Sequence, residues 1–146
     1  MHALIIEDEP MIAMGIEDIL RGCGFNSFDL ASSPNSALEA VSHICPDLIT
    51  SDVQLMPGSG IDTVIAICTR TPIPVIFITG NVSDVTKRMP QTMALAKPFT
   101  EKSLRQAVVM AMTEPYARAI LVLPEAATTS LPVLPPCVMD ARNACN

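Results

Sequence analysis

Glu7, Asp8, Asp52, Thr79 and Lys97 are the residues of this 146-residue chain whose types and positions could do chemistry together. Each sits at the end of a short apolar run: Glu7 and Asp8 follow Ala3-Leu4-Ile5-Ile6, Asp52 follows Leu48-Ile49-Thr50-Ser51, Thr79 closes Val75-Ile76-Phe77-Ile78, and Lys97 follows Met93-Ala94-Leu95-Ala96. A carboxylate placed straight after strand-forming residues lies where a buried strand surfaces, and in parallel sheets that edge is where ligands bind. Asp52 is the leading candidate. Each residue taken singly also has an ordinary explanation. Strand-end aspartates open turns by accepting backbone N–H groups, acids favour a helix N-terminus, and lysines stay solvated. Jointly they ask for more, because three carboxylates in one crevice repel one another unless a cation joins them. An all-oxygen donor set completed by water suits Mg²⁺.

The elements that must position these groups can be read in order. The unbroken run Ala3–Ile6 is a strand covered on both faces. Pro10 then starts a helix with Ile12, Ile16, Ile19 and Cys23 at helical spacing, stopped by Gly22 and Gly24. Phe25 to Leu30 is a weaker, alternating strand suited to a sheet edge. Ser33-Pro34 opens a second helix that turns Ala37, Val41 and Ile44 inward, ahead of Pro46. After the strand at Leu48–Ser51, a loop from Gln54 to Gly60 precedes Ile61, Val64, Ile65 and Cys68 on one helical face. Val75–Ile78 is the clearest strand. Residues 82–89 allow at most about two helical turns, Met93–Ala96 forms a fifth strand, and Thr100-Glu101 starts a last helix with Leu104, Val108 and Ala111 inward. Alternating strands and helices predict an α/β fold, a flavodoxin-like doubly wound five-stranded parallel sheet in the order 2-1-3-4-5 with right-handed crossovers. Parallel strands share one C-terminal edge, so the five candidate residues gather there.

Composition bounds the rest. The chain is 49% hydrophobic and 16% charged, with a net charge of −6, which is ordinary for one globular domain and a poor match to direct nucleic-acid binding. Residues 1–69 set their acids against a single base, Arg21, whereas Lys87, Arg88, Lys97, Lys102 and Arg105 cluster later. Apolar runs such as Ile120–Leu123 are far shorter than the roughly 20 residues that span a bilayer. The N-terminus lacks the basic start and cleavage site of a signal peptide, so the expected location is cytoplasmic, with no membrane association. Five cysteines at 23, 45, 68, 137 and 145 show neither C-x-x-C nor a histidine at ligand spacing. They predict no zinc site and no disulfide framework, with Cys23, Cys45 and Cys68 acting as small buried apolar residues in helical patterns. Residues 114–146 form a proline-rich tail expected to be flexible, without helical or alternating period from residue 124 on, and residues 1–113 form the domain.

In their order and on their strand ends, Ile5-Ile6-Glu7-Asp8-Glu9-Pro10, Ser51-Asp52-Val53-Gln54-Leu55, Ile76-Phe77-Ile78-Thr79-Gly80 and Ala96-Lys97-Pro98-Phe99 resemble the receiver domain of two-component response regulators, over roughly residues 2–112. The Gln54-Leu55 to Gly60-Ile61-Asp62 segment looks like receivers of alphaproteobacterial general-stress regulators, without the sigma-factor-like domain those carry, so the expectation is a stand-alone receiver. The resemblance implies that Asp52 accepts a phosphoryl group from a histidine kinase or histidine phosphotransfer protein, acting as relay, phosphate sink or switched binding module for a downstream protein. It implies that Glu7, Asp8, Asp52 and the backbone carbonyl of Gln54 hold Mg²⁺, and that Lys97, the Thr79 hydroxyl and the Gly80 N–H receive the phosphoryl oxygens. It also implies a cis bond at Lys97-Pro98. Two positions depart from the family. Ala94 stands where an aromatic switch residue is usual, and Met56, followed by Pro57, stands where a proline is usual. A Mg²⁺-dependent phosphohydrolase of the haloacid dehalogenase type is the alternative, although its second acid is replaced by Gln54. A degenerate receiver used only for protein binding is another. A nucleotide or flavin domain lacks a glycine-rich phosphate loop here.

Overall fold

The computed structural model describes residues 1–69 and 71–113, and in it strands and helices alternate without interruption. The order is β1 (His2–Ile6), α1 (Pro10–Arg21), β2 (Ser27–Ala31), α2 (Pro34–His43), β3 (Leu48–Ser51), α3 (Gly60–Cys68), β4 (Val75–Thr79), α4 (Val82–Arg88), β5 (Met93–Ala96) and α5 (Glu101–Ala111). All pairings between the five strands are parallel and the sheet order is β2-β1-β3-β4-β5, as the sequence predicts. The central strands β1, β3 and β4 are buried throughout, which is why they read as continuous apolar runs. The edge strands β2 and β5 are only partly covered.

Side chains alternate across each strand and so build two cores. On one face Leu4, Ile6, Ile49 and Phe77 meet Ala37 and Val41 of α2, Val64 of α3 and Val85 of α4. On the other, Ala3, Ile5, Ile76 and Ile78 meet Ala13, Ile16 and Leu20 of α1 and Leu104, Ala107 and Val108 of α5. Helix starts are locally encoded. Ser33 and Ser36 form a capping box at α2, as do Thr100 and Ser103 at α5, and the Ser59 side chain accepts the Asp62 N–H at α3.

Three sequence expectations shift. The buried stripe of α1 is Ala13, Ile16 and Leu20, while Ile12, Ile19 and Cys23 are only partly buried. An apolar stripe is wide enough that its centre can move by one residue while Ile16 stays inside. Ile44 is 49% exposed, because it is the extended residue that ends α2 and so leaves the helix's inward face. Cys68 is buried in α3, but Cys23 and Cys45 lie past the ends of α1 and α2 and are half-buried. Residues 114–146, including Ile120–Leu123, Cys137 and Cys145, lie outside the described residues.

Candidate functional site

Register brings the chemistry to one edge. Ile6 pairs with Ser51, so the next residues, Glu7 and Asp52, leave adjacent strands side by side. The ladder continues through them, with the Asp52 N–H on the Ile6 carbonyl at 2.9 Å and the Glu7 N–H on that of Ala31 at 2.9 Å. Thr79 pairs with Ala96, and the Lys97 N–H donates to the Thr79 carbonyl at 2.9 Å, which brings the lysine out beside Thr79 and Gly80. The Lys97–Pro98 bond is cis, as is Met56–Pro57.

Lys97 is the hub. Its ammonium donates to Asp52 Oδ2 at 2.7 Å and to Glu7 Oε2 at 2.9 Å, and Glu9 Oε1 lies 3.9 Å away. The other Asp52 oxygen, Oδ1, accepts the Gln54 N–H at 3.1 Å. Asp52 is 8% and Glu7 4% exposed, so these are charged groups taken largely out of water. Burial pushes the Glu7 carboxyl above its ordinary value; the hydrogen bond from Lys97 acts against this without cancelling it. Burial alone would lower the Lys97 value, but the hydrogen bonds to Asp52 and Glu7 together raise it. The ammonium is thus held charged while Glu7 resists ionisation.

Glu7, Asp8 and Asp52 each offer a carboxylate oxygen, and these oxygens lie within 4.8 Å of one another. The half-buried Asp8 is steered by the loop after β3, since its Oδ2 accepts the Met56 N–H at 3.3 Å. This donor set is all hard oxygen and fits a divalent cation such as Mg²⁺ better than a softer metal. A glycine fixes the approach of that loop. A Cβ on Gly60 would lie 1.6 Å from the Asp52 carbonyl oxygen, while the Ser51 hydroxyl donates to the same oxygen at 2.9 Å.

The structure therefore gathers Glu7, Asp8, Asp52 and Lys97 into direct contact or near contact, and recruits the Gln54 backbone through its N–H. Thr79 is buried at the neighbouring strand end, but its hydroxyl accepts the Asn81 N–H at 3.2 Å. Gly80 is exposed, and a Cβ there would meet nothing within 4 Å. Ala94, paired with Phe77 across β4 and β5, is half-buried against the first core. Sequence reasoning missed Gly60, the Met56 N–H and the Glu9 side chain as members of this neighbourhood. No periodic or charge signal marks a glycine whose only task is to let a loop close on a carbonyl.

A family model for the response regulator receiver domain matches residues 3–109. The chain belongs to the receiver-domain family of response regulators. Among its relatives is the phyllosphere-induced regulator PhyR of Methylorubrum extorquens, 36% identical over 113 residues, covering 75% of this chain and 42% of that protein. The transcriptional regulatory protein PdtaR of Mycobacterium tuberculosis is 30% identical, with 77% and 57% covered. The chain thus spans about half the length of these relatives or less. The PhyR receiver domain of Erythrobacter litoralis superposes with a TM-score of 0.67 at 36% identity, covering 76% of this chain and 88% of that one. PhyR from Brucella abortus gives 0.71 at 33%, with 76% and 47% covered. The likeness to stress regulators noted in the sequence is repeated among solved structures, one of which is of the PhyR stress response regulator. Among the described residues no helix is long and apolar enough to cross a membrane.

Proposed function

We propose that Asp52 is the phosphoryl acceptor of a two-component signalling protein. The observation that carries this reading is the contact of Lys97 with Asp52 at 2.7 Å beside the acidic pair Glu7 and Asp8. One Asp52 oxygen attacks the phosphorus of a phosphohistidine, the P–N bond breaks with its electron pair leaving on the imidazole nitrogen, and an acyl phosphate forms. Phosphoryl transfer demands mostly position and charge neutralisation. Lys97, already hydrogen-bonded to Asp52, supplies one positive charge to the incoming phosphoryl oxygens. Thr79 Oγ1 and the Gly80 N–H are the remaining donors at that edge. Glu7, Asp8, Asp52 and the Gln54 carbonyl are the groups that would hold Mg²⁺. When bound, that ion neutralises charge shared by the carboxylates and the phosphoryl group.

The donor on this reading is a histidine kinase or histidine phosphotransfer protein, in the cytoplasm, and the domain spans residues 1–113. The phosphorylated form relays the group, drains a kinase or binds a downstream protein. A Bartonella quintana relative carries the name anti-anti-sigma factor PhyR, which supports protein binding as the output class. The role is signalling, without turnover of a free substrate. Incubation with a phosphohistidine donor and Mg²⁺ should label Asp52, and Asp52→Asn should remove the label. Label persisting in that variant, or steady hydrolysis of a free phosphomonoester, would overturn the assignment.

A further inference from the structure

α4 is weakly attached. Within its seven residues only Val85 is buried, with Met89 just beyond its end. Polar ties hold both ends. At the start, the Asn81 N–H donates to the Thr79 hydroxyl at 3.2 Å, and the Asn81 side chain bonds Asp84 and Ser83 at 2.8 and 2.7 Å. At the finish, Arg88 pairs with Asp62 in the first turn of α3, a link across 26 residues of sequence. Arg88 holds the Asp62 carboxyl below its ordinary value.

We propose that the Asp62–Arg88 pair is a latch that holds α4 against α3 and so opposes the rearrangement in which the Thr79 hydroxyl leaves Asn81. The inference rests on the phosphoacceptor reading. The Thr79 oxygen that now accepts the Asn81 N–H belongs to the hydroxyl which, on that reading, turns to a phosphoryl oxygen at Asp52. The Asn81 N–H then loses its acceptor, and the start of α4 keeps only its own side-chain bonds. The far end remains latched. A pair made in the unphosphorylated arrangement stabilises that arrangement against any in which α4 has moved, and by linkage it opposes occupation of the phosphoryl site. Exposed ion pairs are worth enough to change that occupation by about two- to fivefold.

The test is titration of the full-length chain, in Mg²⁺, with beryllium trifluoride, which mimics a phosphoryl group on a carboxylate. Asp62→Asn and Arg88→Gln should each tighten binding by about two- to fivefold. The double variant should do no more than either single one, as expected for two halves of one interaction. In the wild type, beryllium trifluoride should speed hydrogen exchange at the Asn81 and α4 amides. Unchanged affinity in both single variants, additive effects in the double, or unchanged exchange in a wild type that binds the probe would overturn the latch alone. Wild-type protein that neither binds the probe nor is labelled at Asp52 by acetyl phosphate would overturn the phosphoacceptor reading, and the latch with it.

Discussion

Glu7 shows how burial and a shared counter-charge pull in opposite directions. Its folded value lies above the ordinary 4.5 because desolvation outweighs the Lys97 hydrogen bond. A carboxyl whose value is raised by folding binds its proton more tightly in the native state. The cost of keeping it ionised is therefore absent below the unfolded value and complete above the folded one. Glu7→Gln should accordingly raise the melting temperature of metal-free protein at pH 7, with the gain shrinking as the pH falls toward 4.5. The same variant should lose most of the thermal stabilisation that Mg²⁺ gives the wild type. Metal-free melting that is lower in Glu7→Gln at pH 7 would contradict this balance. Two glycines give an opposite pair of expectations. Gly60→Ala drives a Cβ into the Asp52 carbonyl, a backbone atom that cannot turn aside, and should cost about 3 kcal/mol or more in urea unfolding. Gly80→Ala meets open space, keeps its N–H, and should change stability by no more than about 0.5 kcal/mol while still permitting phosphoryl labelling. The gathering of Glu7, Asp8, Asp52 and Lys97 at one edge was legible in the sequence, because each follows an apolar strand and parallel strands share their C-terminal edge. Gly60 was not, since its role is set by the path of a loop, and the Thr79–Asn81 bond was not, since a hydroxyl's partner depends on its rotamer.

The strands carry a cost that their apolar sequence hides. Thr50, in the middle of β3 between Ile5 and Ile76 of its neighbours, buries a hydroxyl that has no hydrogen-bond partner among the described residues. An unsatisfied buried hydroxyl is expensive, and valine keeps the β-branched shape that a central strand favours. Thr50→Val should therefore stabilise the domain by about 1 kcal/mol in chemical denaturation, with Asp52 labelling intact. A destabilised variant would mean that the hydroxyl finds a partner in solution. At this level the strand order and the helix starts were readable, because runs covered on both faces and Ser/Thr caps are local signals. The rotation of α1 about its axis and the exposure of Ile44 were not. Several residues of a wide apolar stripe satisfy the same periodicity, and packing against β1 and α5 decides among them.

Among the described residues, both cores are built from residues 3–111, and every buried apolar side chain packs on one or other face of the five-stranded sheet. A chain ending at Thr113 should then fold by itself. α5 is capped at its start by Thr100 and Ser103, and its buried residues Leu104, Ala107, Val108 and Ala111 sit against α1 and the sheet. Its last turn is closed by the Thr113 hydroxyl on the carbonyls of Val109 and Met110, each at 2.8 Å. Removing residues 114–146 should leave unfolding cooperative, shift the melting temperature by no more than about 4 °C, and preserve Mg²⁺-dependent labelling of Asp52. Broad, non-cooperative unfolding of the shortened chain would place part of the core's stability in the removed residues. Cooperative unfolding with labelling lost would instead place their contribution at the site itself, and the domain would have to be drawn beyond residue 113.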